Sequence, residues 1–217
     1  MIKAIIFDMD GVLVDSEELK AKAWKKALLD YGIKGGDEWY RRNIGNSRDV
    51  LSALAIKEFS LTSAQIDEVS EKKRINYFAM LKEATVPIKS SILFLKSIPK
   101  GQFKIAVNSS INTWVIENQM KNLGVIDYFD KITSGKDEVT KDKPNPEIYL
   151  LSAKKLGLNP HECLAIEDSK AGVQAAKDAG MKCIGFKNPH SGNQDLSRAD
   201  IVVDDLNKLD IQKIISF

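Results

Sequence analysis

The sequence predicts an α/β protein: a doubly wound parallel sheet with helices on both faces, interrupted early by an all-helical insertion. Three observations predict it. The chain opens on a short apolar run, Ile5-Ile6-Phe7, of the kind that forms a strand covered on both faces. From residue 90 onward, strand-like and helix-like patterns alternate, the signature of a parallel sheet with crossover helices. Between residues 16 and 84 no strand signal occurs at all.

Taken in order, the first strand runs into Asp8-Met9-Asp10-Gly11-Val12-Leu13-Val14-Asp15. Ser16 then reads as an N-cap ahead of Glu17 and Glu18, acids placed where the helix dipole favours them. Leu19, Ala23, Trp24, Ala27 and Leu28 recur at helical spacing until Gly32 stops the pattern. Helical patterns follow near 37–42, over 47–59, and over 62–81, the last with Thr62 and Ser63 as candidate caps. Beyond the insertion come a helix at 90–98, a strand at 103–107, a helix at 113–123 and a short strand at 131–133. A helix at 146–156, a strand at 163–166, a helix at 169–179 ended by Gly180, and strands at 182–186 and 201–203 complete the alternation. A closing helix is predicted over 206–215, with polar linkers at 34–36 and 135–146.

At 217 residues the chain can form one core domain carrying a smaller insertion. The predicted division is 1–14 with 85–217 as the core and 15–84 as the insertion. Lys+Arg 32 against Asp+Glu 30 leaves a net charge of +2, too small a field to favour nucleic acid or an anionic membrane, and neither is expected as a partner. Cys163 and Cys183 sit in apolar strand-like runs and read as buried free thiols, not as a disulfide framework. The amino terminus leads straight into the first strand and no apolar run approaches the roughly 20 residues of a membrane span. A cytoplasmic monomer is the expectation.

Parallel sheets of this kind bind ligands outside the carboxyl ends of their strands. The first strand delivers Asp8 and Asp10 there, acids one residue apart that repel each other unless a cation offsets them. Alone, Asp-X-Asp-Gly also serves as a plain strand-ending turn. The later strand ends decide between these readings. The 103–107 strand delivers Asn108-Ser109-Ser110, the 163–166 strand delivers Glu167-Asp168-Ser169, and Lys143-Pro144 lies in the loop before the 146–156 helix. Individually these residues would cap helices or face solvent. Together, acids for a cation beside hydroxyls and an ammonium for an anion describe a phosphoryl site. No Walker-type Gly-X-X-X-X-Gly-Lys run is present, which excludes a P-loop. The residues themselves leave open which of Asp8 and Asp10 does what.

The segment Asp8 to Asp15, Ser109, Lys143-Pro144 and Ile166-Glu167-Asp168-Ser169-Lys170-Ala171-Gly172 resemble, in order, the four motifs of the haloacid dehalogenase superfamily. The likeness is greatest to the branch with a helical cap after the first motif, which includes β-phosphoglucomutase and many sugar-phosphate phosphatases. It implies a Rossmann-like core with residues 15–84 as the cap. It also implies Asp8 as a nucleophile giving an aspartyl-phosphate and Asp10 as general acid and base. Mg²⁺ would be held by Asp8, the Asp10 backbone carbonyl and Asp168, with Glu167 assisting, while Ser109, Ser110 and Lys143 neutralise the phosphoryl group.

In the insertion, Gly45-Asn46-Ser47-Arg48 resembles the cap loop in which relatives set an arginine against the substrate, so Arg48 is the candidate substrate contact. Lys73 falls near a cap lysine of the mutase-like members but reads better as a solvated helix charge. Where the mutase carries a histidine in the first cap helix, this chain has Lys20, and the 84–90 return lacks the glycine relatives often have. The expected activity is therefore a Mg²⁺-dependent phosphatase for a small phosphorylated metabolite, a sugar phosphate by preference. The alternative is a β-phosphoglucomutase-like isomerase using the same intermediate. A phosphoaccepting signalling module stands behind both, because such modules carry their acceptor aspartate on a later strand and have no place for a helical insertion.

Overall fold

The computed structural model describes residues 1–46, 48–210 and 214. The first unit comprises Met1–Asp15 with Thr85–Phe217. Among its described residues, β1 (Ala4–Asp8), β2 (Lys104–Ser109), β3 (Lys131–Ser134), β4 (Cys163–Glu167), β5 (Lys182–Phe186) and β6 (Ile201–Val203) form one sheet of order β3-β2-β1-β4-β5-β6. Every pairing is parallel. β1 is central and is wholly buried, as its uninterrupted apolar run requires. The predicted doubly wound parallel sheet is the one observed.

Alternation along the strands sorts their side chains onto two faces. Ile5, Phe7, Ile105, Val107, Leu164, Ile166 and Ile184 form one core with Phe94 and Leu95 of α5 (Lys89–Ser97) and Ile116 and Met120 of α6 (Thr113–Asn122). Each such buried side chain stabilises the fold by roughly 1.5–3 kcal/mol relative to exposure. The other face carries smaller residues, Ala4, Ile6, Ala106, Cys163, Ala165 and Cys183. Over it lie α8 (Glu147–Leu156), through Ile148, Tyr149 and Ala153, and α9 (Lys170–Asp178), through Val173, Ala175 and Ala176. Both cysteines are buried free thiols, as expected.

The second unit, Ser16–Ala84, is helical: α1 (Glu17–Leu29), α2 (Gly36–Arg42), α3 (Arg48–Phe59) and α4 (Ser63–Glu83). Its core joins Trp24, Ala27 and Leu28 to Trp39, Tyr40 and Val69, with the Trp24 and Trp39 rings edge-on at 5.1 Å. Thr62 caps α4 in a reciprocal capping box with Gln65.

Three local expectations need correction. Ser16 stands at the N-cap of α1 but its hydroxyl makes no cap bond, because its backbone is already helical where a capping residue's is extended. The 135–146 stretch is not linker throughout: Ser134 accepts a bond from the Asp137 N–H and starts the short helix α7 (Gly135–Glu138). The closing helix is not continuous, since a 3-10 turn at Leu206–Lys208 gives way to extended backbone at Leu209; residues 211–213 and 215 lie outside the described residues.

Candidate phosphoryl-transfer site

The register of the sheet builds the site. Asp8 pairs with Asn108, and Asn108 with Thr133. Glu167 is one residue beyond the Phe7–Ile166 pair and is itself paired with Gly185. Thr133, Asn108, Asp8, Glu167 and Gly185 thus form one rung at the carboxyl edge, on the face that otherwise carries alanines and cysteines. A row of small and polar side chains replaces apolar packing where the helices would normally cover it.

Into this rung comes Lys143, which precedes a cis proline, Pro144. Its ammonium lies 2.6 Å from Asp8 Oδ1, 2.6 Å from Glu167 Oε1 and 3.1 Å from Asn108 Oδ1. Tyr149 of α8 donates its hydroxyl to the same Glu167 Oε1 at 2.7 Å, and Ser169 donates to Oε2 at 3.1 Å. The Glu167 carboxylate is fully buried and largely consumed by these donors. Ser169 also caps α9, accepting from the Gly172 N–H at 3.0 Å. A Cβ on Gly172 would fall 2.0 Å from Glu167 Cδ, so only glycine lets α9 approach this carboxylate.

The electrostatics follow from this crowding. Burial pushes the Asp8 carboxyl well above its usual range; Lys143 opposes the shift, while Glu167, Asp168 and Asp10 add to it. Burial alone would lower the Lys143 ammonium, but Asp8 and Glu167 outweigh it and hold the lysine protonated above its ordinary range. Tyr149 is likewise raised by burial and then by Glu167 and Asp8, so it remains a neutral donor.

Asp8, Glu167 and Asp168 each offer an oxygen, with those atoms within 4.8 Å of one another. An all-carboxylate set suits a hard divalent cation such as Mg²⁺, and a cation there would offset both the burial and the neighbouring acids that raise Asp8. The Asp10 side chain is not part of this group. It accepts from the Ser109 hydroxyl at 2.9 Å instead.

The structure thus brings together Asp8, Asp10, Ser109, Lys143, Glu167 and Asp168. Ser109 proves to be the last residue of β2, not a loop hydroxyl, and its hydroxyl is turned to Asp10. Ser110 follows as an exposed residue. Arg48 opens α3, and its side chain lies outside the described residues, as does Ser47. Lys20 is paired with Glu17 at 2.6 Å, and the Lys73 ammonium lies 5.2 Å from the Tyr77 ring centroid.

Asn108, Tyr149, Asn188 and Ser191 were not singled out by their residue types. Tyr149 occupies an apolar-face position of a helix and carries no mark of its polar role. Asn188 and Ser191 could have been found, because they follow the carboxyl end of β5 as Asp10 and Asp168 follow β1 and β4.

Comparisons with known proteins give the chain a family. The model of the haloacid dehalogenase-like hydrolase family matches residues 5–186. A phosphorylated carbohydrates phosphatase of Thermotoga maritima is 35% identical over 188 residues, 84% of this chain and 84% of that one. The β-phosphoglucomutase of Bacillus subtilis is 30% identical over 217 residues, 97% of this chain and 93% of its own. The crystal structure of β-phosphoglucomutase from Clostridium difficile superposes with a TM-score of 0.74 at 31% identity, covering 100% of this chain and 96% of that one. No helix among the described residues is long and apolar enough to cross a membrane. The family match spans residues 5–186, and the chain belongs to the haloacid dehalogenase-like hydrolases, as an enzyme of the β-phosphoglucomutase-like branch.

Proposed function

We propose that the protein is a Mg²⁺-dependent phosphatase that hydrolyses a small phosphorylated carbohydrate through a phosphorylated Asp8. The observation that carries this reading is the Asp8 carboxylate held against the Lys143 ammonium at 2.6 Å, at the edge where the other acids converge. An Asp8 oxygen attacks phosphorus, the bond to the substrate oxygen breaks, and Asp10 protonates that oxygen as it leaves. Water then attacks phosphorus, Asp10 takes its proton, and the Asp8–phosphorus bond breaks to release inorganic phosphate. Asp10 changes role between the steps, and its bond from Ser109 keeps it aimed at the same place in both.

Lys143 holds Asp8 and offers positive charge to the transferring group. Glu167 and Tyr149 fix the lysine from behind. Asp8, Asp168 and the Asp10 backbone carbonyl would hold Mg²⁺, with Glu167 assisting. Bound there, the ion supplies further positive charge for the phosphoryl oxygens. Ser110 and the Ser109 backbone add donors at the same strand end. The helical unit is the substrate-selecting cap in this reading, with Arg48 as its candidate contact. The relatives named for phosphorylated carbohydrates support a sugar phosphate as substrate.

The deciding experiment is phosphate release from a panel of sugar phosphates with Mg²⁺, alongside the Asp8→Asn variant. Loss of turnover in Asp8→Asn and phosphate release from at least one sugar phosphate are expected. Undiminished turnover in Asp8→Asn would overturn the nucleophile assignment. The mutase reading draws on the B. subtilis relative, which this chain matches over 97% of its length. Incubation with β-glucose 1-phosphate and a bisphosphate activator separates the two. Glucose 6-phosphate forming faster than free phosphate would favour the mutase.

A further inference from the structure

β5 ends at Phe186, and the chain then crosses residues 187–200 before β6. No phosphoryl-transfer role above uses this crossover, yet it folds back onto the loops that follow β1 and β4. Asn188 is 7% exposed and donates from Nδ2 to the Gly11 backbone carbonyl at 3.0 Å. Ser191 is 8% exposed and donates its hydroxyl to Asp168 Oδ2. His190 Nδ1 pairs with Asp15 Oδ2.

The crossover also holds its own shape. Asn188 Oδ1 accepts from the His190 N–H at 2.9 Å, and Gln194 Nε2 donates to the Ser191 carbonyl at 3.1 Å. Gln194 Oε1 accepts from the Lys170 N–H at 3.1 Å, tying the loop to the start of α9. Gly11 completes the arrangement. With φ at +78°, a Cβ there would lie 1.8 Å from Asp168 Oδ2 and 2.9 Å from Ser191 Oγ. Only glycine at position 11 therefore lets the first-strand loop pass this close to Asp168 and Ser191.

Asp168 and Glu167 differ in what holds them. Glu167 is fixed by an ammonium, a phenol and a serine hydroxyl. Asp168 lies at the strand-to-helix turn after β4, with its Oδ2 on the Ser191 hydroxyl and against Gly11, and any loss of orientation in a ligand carboxylate weakens its hold on an ion. A donor on one oxygen fixes the plane of the group and leaves the other oxygen presented. We infer that Ser191 is a positioning residue: its hydroxyl orients the Asp168 carboxylate for a divalent cation, and Asn188 seats the crossover on Gly11 so that it can. This rests on the Mg²⁺ reading above. In this reading Ser191 acts through Asp168 and is not itself a ligand.

Calorimetric titration with Mg²⁺ alone tests it. Ser191→Ala is expected to raise the Mg²⁺ Kd about ten-fold or more, and Ser191→Thr, which keeps the hydroxyl, to stay within about three-fold of the parent. With p-nitrophenyl phosphate, the KM for Mg²⁺ should rise in parallel while kcat at saturating Mg²⁺ stays within about three-fold. A loop-stapling role would instead lower the melting temperature and leave the Mg²⁺ Kd unchanged. An unchanged Kd in Ser191→Ala, or a Thr variant as weak as the Ala variant, overturns the inference. Should Ser191→Ala fail to fold, Ser191→Cys, with a weaker donor of similar size, takes its place in the same titration under the same criterion. A parent protein that binds Mg²⁺ but hydrolyses no phosphomonoester defeats the phosphatase reading, while the titration still judges Ser191. A parent that binds no Mg²⁺ overturns the inference, and phosphate release in EDTA would then leave the Asp8 chemistry standing.

Discussion

The Lys143 ammonium sits 2.6 Å from Asp8 Oδ1, although 135 residues separate them in sequence. The contact exists because β1 is the centre of the sheet and the loop before α8 returns over its carboxyl end. Lys143 is also 2.6 Å from Glu167, so one cation stands between buried acids of neighbouring strands.

Removing that cation should cost both stability and rate. Lys143→Ala leaves Asp8 and Glu167 facing each other without compensation, a loss of about 3–5 kcal/mol for a broken buried pair. In a chain of this size that corresponds to a fall in melting temperature of about 10 °C. Phosphate release should drop about 10²-fold or more with the loss of a donor to the transferring group. Adding Asp8→Asn to Lys143→Ala should recover part of the melting temperature and none of the activity. A Lys143→Ala protein that melts with the parent would show that the ion pair does not hold this edge of the sheet together.

Asp10 predicts a dependence on the leaving group. If it supplies the proton to the departing oxygen, Asp10→Asn should slow hydrolysis of a sugar phosphate by about 10²–10⁴-fold. Hydrolysis of p-nitrophenyl phosphate should suffer much less in its first step, since p-nitrophenolate departs without a proton. Pre-steady-state bursts of p-nitrophenol separate that step from release of phosphate from Asp8. Equal losses on both substrates in the first step would assign Asp10 a structural part. Ser109→Ala, which frees the Asp10 carboxylate from its 2.9 Å bond, should show the same leaving-group bias in weaker form.

The cysteines should be silent. Burial pushes the Cys163 thiol up to about 11, and burial raises Cys183 as well. Both are fully enclosed beneath α8 and α9, and it is the thiolate, not the thiol, that reacts. At pH 8 the native protein should release no chromophore from a disulfide reagent over the minutes in which the denatured protein gives both thiols. Stoichiometric labelling of the native protein would place one of them at the surface. Sulfhydryl reagents should accordingly leave turnover unchanged.

Much of this was legible in the sequence, for physical reasons that can be named. β1 could be read because a strand covered on both faces must be apolar throughout, and Asp8 and Asp10 stood out by breaking that run. Glu167 and Asp168 stood out in the same way. Lys143 was visible only through coincidence with them, since nothing in its neighbours distinguishes a buried lysine from a solvated one. Tyr149 was not legible, because an aromatic on a helix's apolar face looks like core until its hydroxyl is seen on Glu167. Ser16 misled for the opposite reason: its sequence context suits an N-cap, yet its hydroxyl caps nothing. Asn188 and Ser191 could be reached only by analogy, as polar residues beyond the carboxyl end of a strand like Asp10 and Asp168, because their partners Gly11 and Asp168 are far away in sequence.

Gly172 offers the sharpest test of the packing behind the site. It lies inside α9, where alanine is intrinsically favoured over glycine by about 1 kcal/mol. Propensity alone therefore predicts that Gly172→Ala stabilises the protein. The geometry predicts the reverse, because the new Cβ would fall 2.0 Å from Glu167 Cδ and Oε1 and 2.1 Å from Oε2. Neither side can yield cheaply: Glu167 carries Lys143, Tyr149 and Ser169, and α9 is packed on the sheet through Val173 and Ala176. Overpacking of this kind costs about 1–3 kcal/mol, and displacing a satisfied buried carboxylate adds to it. Gly157 is the control. It ends α8 with φ at +69° and nothing within 4 Å of its virtual Cβ, so Gly157→Ala should cost only about 1–2 kcal/mol of backbone strain and leave turnover intact. Thermal melts of both variants, read with phosphate release, decide the matter: Gly172→Ala should lose activity as well as stability, and a Gly172→Ala enzyme as active and as stable as the parent would mean that α9 can retreat from Glu167 without disturbing Lys143.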